Sequence, residues 1–99
     1  MKLSEAIRRG CKVKPVQCHG QYYGAGDAAC ALGAACSGAG FNIAFDLITV
    51  TLISQWPFLW PVQYIGTTAL AFAVTIADMN DELHYTREEI ADFVEMHGE

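Results

Sequence analysis

Thr86-Arg87-Glu88-Glu89-Ile90-Ala91-Asp92-Phe93-Val94 writes out a helix start in its capping chemistry. The Thr86 hydroxyl can accept from the amide of Glu89, and the Glu89 carboxylate can reach back to the amide of Thr86. Ile90, Phe93, Val94 and His97 recur at helical spacing, so Thr86 to His97 reads as an amphipathic helix with one buried side. Glu88, Asp92 and Glu95 fall on its other side, an acidic face turned to solvent. Asn80-Asp81 supplies the stop and turn before it.

Working outward, Cys30-Ala31-Leu32-Gly33-Ala34-Ala35 is built almost wholly of small side chains. With Asp27 as its cap and Gly38 and Gly40 as its stop, it reads as a helix running to about Ser37. Small side chains let a second backbone come close, so this helix belongs at the centre of the fold. Leu3 to Arg9 reads as a short helix with Ser4 at its N-cap, Glu5 in its first turn, Arg8 and Arg9 in its last, and Gly10 just beyond. Cys11 to Gly26 is a connector. Phe41 to Gln55 fits a helical stripe (Phe41, Phe45, Ile48, Leu52) and also a strand alternation over Ile48, Val50 and Leu52. With no partner strand in view, helix is the choice. Trp56-Pro57-Phe58-Leu59-Trp60-Pro61 must interrupt regular structure. Thr67 to Met79 is apolar all round and reads as a buried helix. The fold class is all-α: one compact domain, residues 1–99, of four to five short helices around the Ala/Gly/Cys-rich central one.

The chain has 99 residues, 53% hydrophobic and 17% charged, which suits a single folded core and argues against disorder. Five of the six basic residues lie within the first fourteen positions, and eight of the eleven acidic ones from Asp78 onward. A net charge of −5 speaks against non-specific nucleic-acid binding. No charge falls between Asp46 and Asp78, but Pro57, Pro61, Gln63 and Gly66 divide that stretch. Its apolar pieces are far short of the roughly twenty residues a membrane span requires. The charged, amphipathic opening is unlike a secretory signal, so the expected location is the cytoplasm, with reduced thiols at Cys11, Cys18, Cys30 and Cys36. Cys30 and Cys36 would stand about 9 Å apart along one helix, too far to bridge.

The two blocks, Cys30 to Ala35 and Asn80 to Val94, together with the opening Lys2-Leu3-Ser4-Glu5-Ala6-Ile7-Arg8, resemble small bacterial and bacteriophage proteins of unknown function. Those proteins carry a "CALGAA" block followed by an "LND…H…TREQIADWV" block. The resemblance implies a helical fold and a bacterial, phage or prophage setting, and is silent on mechanism. Several members carry a C-P-x-C pair whose matching positions here are Trp60-Pro61-Val62-Gln63, so any metal role of that pair does not carry over.

Three constellations could carry chemistry. Asp78 to Glu89 places oxygen donors at the spacing of a calcium loop, but Leu83 occupies the position that demands glycine. Cys11, Cys18 and His19 could serve zinc, yet they lack the paired-knuckle spacing of a structural site. Cys30 near a helix start could be an activated thiolate, against which stands the ordinary role of cysteine as a small buried hydrophobe. The last helix also resembles the opening helix of a helix-turn-helix, without a recognition helix after it. No metal and no cofactor are therefore expected.

The reading is a non-enzymatic, protein-interaction or inhibitor-type accessory protein acting on a host protein, with no nucleic-acid or membrane role. Its partner surface would use Trp56, Trp60, Glu88, Asp92 and Glu95, and exposed aromatics would also permit self-association. One alternative is a small-ligand-binding protein whose pocket between helices uses Tyr22, Tyr23, Asn80, Asp81 and His84. The other is a zinc- or thiol-dependent module.

Overall fold

Glycine and alanine decide how the first two helices meet. A Cβ built on Gly10 would stand 1.8 Å from the carbonyl oxygen of Ala34, and one on Gly38 would stand 1.9 Å from that of Ala6. Only backbone without side chains can approach backbone this closely. The helices concerned are α1 (Leu3–Val13) and α2 (Ala31–Gly38), seen in a computed structural model that describes residues 1–41, 47–60 and 72–97. As the composition requires, Ala31 to Cys36 are all buried.

The described residues form five α-helices and one short ladder: α1, β1 (Val16–Gln17), β2 (Ala28–Ala29), α2, α3 (Ile48–Gln55), a 3₁₀ turn (Pro57–Leu59), α4 (Phe72–Asp81) and α5 (Arg87–His97). The all-α expectation holds. The two-residue strands pair in parallel, Val16 opposite Ala28 and Gln17 opposite Ala29; β1 falls in the Cys11 to Gly26 connector and β2 in the segment expected to open the second helix. The ladder also moves the start of α2. Asp27 gives its carbonyl to the amide of Val16, and the next two residues are extended, so the chain turns helical only after Cys30. Cys30, not Asp27, is the N-cap, its sulfur accepting from the amide of Gly33 at 3.4 Å.

Two further boundaries differ from the sequence expectation. Helix α1 continues to Val13 and carries Gly10 in its interior, because that glycine is where Ala34 must fit. Ser4 lies buried in the first turn of α1, and Lys2 holds the cap position. Helix is the conformation of Ile48–Gln55, with Ile48 and Leu52 buried; Phe41, where the segment begins, is outside any helix, and residues 42–46, Phe45 among them, lie outside the described residues. Of the helix expected over Thr67 to Met79, the part from Phe72 is described, and it runs on to Asp81.

The capping box is formed in both directions: Thr86 N donates to Glu89 Oε1 at 2.9 Å, and Glu89 N donates to Thr86 Oγ1 at 3.1 Å. Beyond it, Ile90, Ala91 and Val94 enter the core beside Leu3, Ile7, Leu52, Leu59 and Ile76. Each large side chain taken out of water there contributes about 1.5–3 kcal/mol. Phe93 is half-buried and stacks on Phe72 with ring centres 5.7 Å apart. Arg87 is buried and donates to the carbonyls of Lys14 (2.5 Å) and Ala29 (3.3 Å), tying α5 to the exit of α1 and to β2.

Candidate functional site

Asn80, on the last turn of α4, is 1% exposed and forms four kinds of hydrogen bond through one side chain. Its oxygen accepts from Gln17 Nε2 at 2.8 Å and from the amide of Ala31 at 3.1 Å. Its nitrogen donates to the carbonyl of Cys18 at 2.9 Å and to Asp81 Oδ1 at 2.7 Å. A primary amide has two lone pairs and two protons, so this inventory is complete. Asn80 joins β1, the start of α2 and the end of α4. Expected as a ligand contact, it acts here as the joint that ties α2 and α4, two walls of a pocket, to each other and to β1.

That pocket lies between the N-terminal turn of α2, the inner side of α4, the Gly20–Tyr22 turn and Trp60, with a volume of about 340 Å³. Leu32, Ala73, Ile76 and Ala77 supply an apolar lining, Tyr22 and Trp60 two aromatic rings, and Asp81 a carboxylate. Asp81 Oδ1 accepts from the amide of Gly20 at 2.8 Å, which fixes the turn as the pocket's rim. Tyr22 is placed by a hydroxyl contact with Thr49 of α3 at 3.2 Å. Tyr22, Asp81 and the side of Asn80 are thus brought together, with Trp60 joining them from the group read as partner-binding.

Tyr23 and His84 stand elsewhere. Tyr23 is half-buried across α2, its hydroxyl paired with Ser37 at 3.2 Å and Lys14 Nζ 5.5 Å from its ring centre. His84 sits at φ 56° in the α4–α5 turn, its ring centre 5.0 Å from that of His19. The sequence signal that could have found the pocket is the i, i+3, i+4, i+7 set Ala73, Ile76, Ala77 and Asn80, one stripe of α4 that ends in a polar residue.

The surface proposed for a partner protein is changed in two respects. Trp56, read as an exposed aromatic, is buried, with its indole N–H donating to the carbonyl of Met1 at 3.0 Å. Glu88, Asp92 and Glu95 do face solvent, but all three meet Arg8 of α1, at 3.8, 2.6 and 2.7 Å. The acidic face is therefore paired with a cation from its own chain. The Asp92 and Glu95 contacts hold the Arg8 guanidinium charged even more firmly than usual.

The thiols lean toward their protonated forms. Burial pushes Cys30 up to about 11 and Cys36 up to about 12, and it raises Cys11 and Cys18 as well. At Cys30 desolvation outweighs the amides of Gly33 and Leu32, so the helix start does not yield a thiolate. Cys18 Sγ lies within reach of the carbonyls of Gln21 and Tyr22, acceptors that favour a proton on sulfur. Among the described residues no three His, Cys, Asp or Glu side chains cluster as a metal site would need. The would-be calcium loop is helical through Asp81, and the oxygen of Asn80 is already shared by two donors. No described helix is long and apolar enough to cross a membrane.

No family model, no curated protein and no solved structure matches this chain.

Proposed function

We propose that this chain is a non-enzymatic protein that binds a small organic ligand in the pocket between α2 and α4. The observation that carries the reading is the conjunction of an apolar, aromatic-flanked recess with Asn80, a buried amide whose bonds hold its walls in place. Small-molecule sites combine an apolar lining with a few fixed polar groups, and about 340 Å³ lies at the lower end of their range. Binding rather than turnover is supported by the titratable inventory. The described lining holds one carboxylate, Asp81, and a thiol held protonated, Cys30, whereas acid–base chemistry calls for positioned groups that exchange protons near neutral pH. The bacterial or phage setting implied by the sequence resemblance, and the cytoplasm expected from the charged opening of the chain, belong with this reading.

The test is a screen of small organic fragments against the full chain, followed by amide shift mapping. Hits should cluster on Gly20, Gln21, Ala31, Leu32 and Ala77, and Ala77→Phe, which fills the recess, should weaken them about tenfold or more. Hits scattered over α1, α3 and α5, unaffected by Ala77→Phe, would refute it.

A second reading, engagement of a host protein or of another copy of the chain, is supported by α3. Its Leu47, Val50 and Ile53 lie 50%, 63% and 45% exposed at three-residue spacing, one apolar stripe facing solvent. Val50→Lys with Ile53→Lys should then abolish partner capture or self-association and leave fragment binding intact.

A further inference from the structure

The ligand's chemistry can be narrowed by asking which charges the pocket can meet. The amide donors at the start of α2 are engaged within the protein. Ala31 N donates to Asn80 Oδ1, Gly33 N and Leu32 N face the sulfur of Cys30, and Ala34 N donates to the carbonyl of Cys30. A helix start whose donors are capped in this way offers nothing to an anion. The charged group of the described lining is Asp81. One of its oxygens is held by Gly20 N and Asn80 Nδ2. Its other oxygen takes no hydrogen bond among the described residues. The two rings beside it, Tyr22 and Trp60, present faces that attract cations and stack on flat apolar groups.

We infer that the pocket selects a small primary amine with an apolar, preferably aromatic, body. Its ammonium group sits on Asp81, and its body lies over Leu32, Ile76 and Ala77 between the two rings. This inference rests on the pocket reading above and adds a charge to it. The carboxylate is pre-positioned by Gly20 and Asn80, so the amine meets an ordered acceptor rather than a free side chain. A neutral isostere forgoes a charge-assisted hydrogen bond, and an anionic one meets repulsion besides.

The experiment titrates the full chain at neutral pH with three probes of one shape: phenethylamine, phenethyl alcohol and hydrocinnamate. Amide shifts of Gly20, Ala31, Leu32 and Ala77 serve as the readout. The amine should bind about tenfold more tightly than the alcohol, and the carboxylate more weakly than either. Asp81→Asn keeps an oxygen for Gly20 and removes the charge, and should bring the amine to the level of the alcohol. Asp78→Asn, the same change one turn earlier on the exposed side of α4, should leave the order unaltered. The parent chain carries a second readout that needs no variant: added salt should weaken the amine and spare the alcohol. Equal affinity of amine and alcohol at these amides, or an amine affinity indifferent to salt, overturns the charge inference and leaves the pocket reading standing. If none of the three probes shifts these amides, the pocket reading itself fails.

Discussion

Gly10→Ala adds a single methyl group, and the backbone around it cannot step aside. The new Cβ would lie 1.8 Å from the Ala34 oxygen, 2.3 Å from its carbonyl carbon and 2.8 Å from its Cα. Ordinary contact begins near 3.4 Å, so α1 must retreat from α2 by well over an ångström. Leu3, Ala6 and Ile7 on one side and Ala31, Leu32 and Ala35 on the other would lose contact together. Overpacking of a core costs about 1–3 kcal/mol, and an obstacle made of backbone belongs at the top of that range. Replacing a glycine inside a helix returns about 1 kcal/mol in propensity. The net expectation is about 2 kcal/mol of destabilisation, a large part of the roughly 5–15 kcal/mol such a domain commands. Urea unfolding followed by circular dichroism should show the midpoint falling by about 1 M with an unchanged slope. An unchanged or raised midpoint would refute the reasoning, because it would mean that propensity outweighs the α1–α2 contact.

Asn80→Ala removes the joint: Ala31 N and Cys18 O lose the partner that Asn80 gives them, while Gln17 Nε2 keeps the carbonyl of Tyr85. It should cost about 2–4 kcal/mol and speed hydrogen exchange at Ala31, whereas loss of an exposed amide would do neither. Reversing Glu88, Asp92 and Glu95 to lysine sets three cations against Arg8, so the domain should lose about 1–2 kcal/mol at low salt and recover much of it at high salt; equal stability at both would show that the cluster contributes nothing. Cys30 and Cys36 are raised to about 11 and about 12, so the folded chain keeps protons that the unfolded chain releases from about pH 9 upward. The stability associated with these thiols is whole below that point and declines as the pH climbs toward 11–12, and a Cys30→Ala, Cys36→Ala chain should show a shallower alkaline decline in urea titrations. Thr86→Ala removes the hydroxyl that caps Glu89 N and should lower stability by about 1 kcal/mol in the same assay.

What could be read in advance was local chemistry. Thr86 and Glu89 declare their bonds in four residues, and the Ala/Gly run of α2 declares a close neighbour without naming α1. The misreadings arose where a distant partner decides. Gly10 resembles a helix stop until Ala34 is placed against it, and Asp27 resembles a cap until Val16 claims its carbonyl. A strand two residues long has no period to detect, so the β1–β2 ladder left no trace in the pattern. Arg8 lies eighty residues or more before the carboxylates it joins, and Trp56 is buried by a contact with Met1. At the pocket, Tyr22, Asn80 and Asp81 were legible as polar and aromatic residues near turns. That Asn80 would be a joint and Leu32 and Ile76 a lining depends on α2 and α4 facing one another.

The most direct measurement of the central claim is an isotope-filtered nuclear Overhauser experiment on the full chain with phenethylamine bound. The account predicts contacts from the ring protons of the amine to the methyls of Leu32, Ile76 and Ala77 and to the indole of Trp60. Contacts confined to the exposed stripe of Val50 and Ile53, or to the Arg8 side of α1, would contradict it.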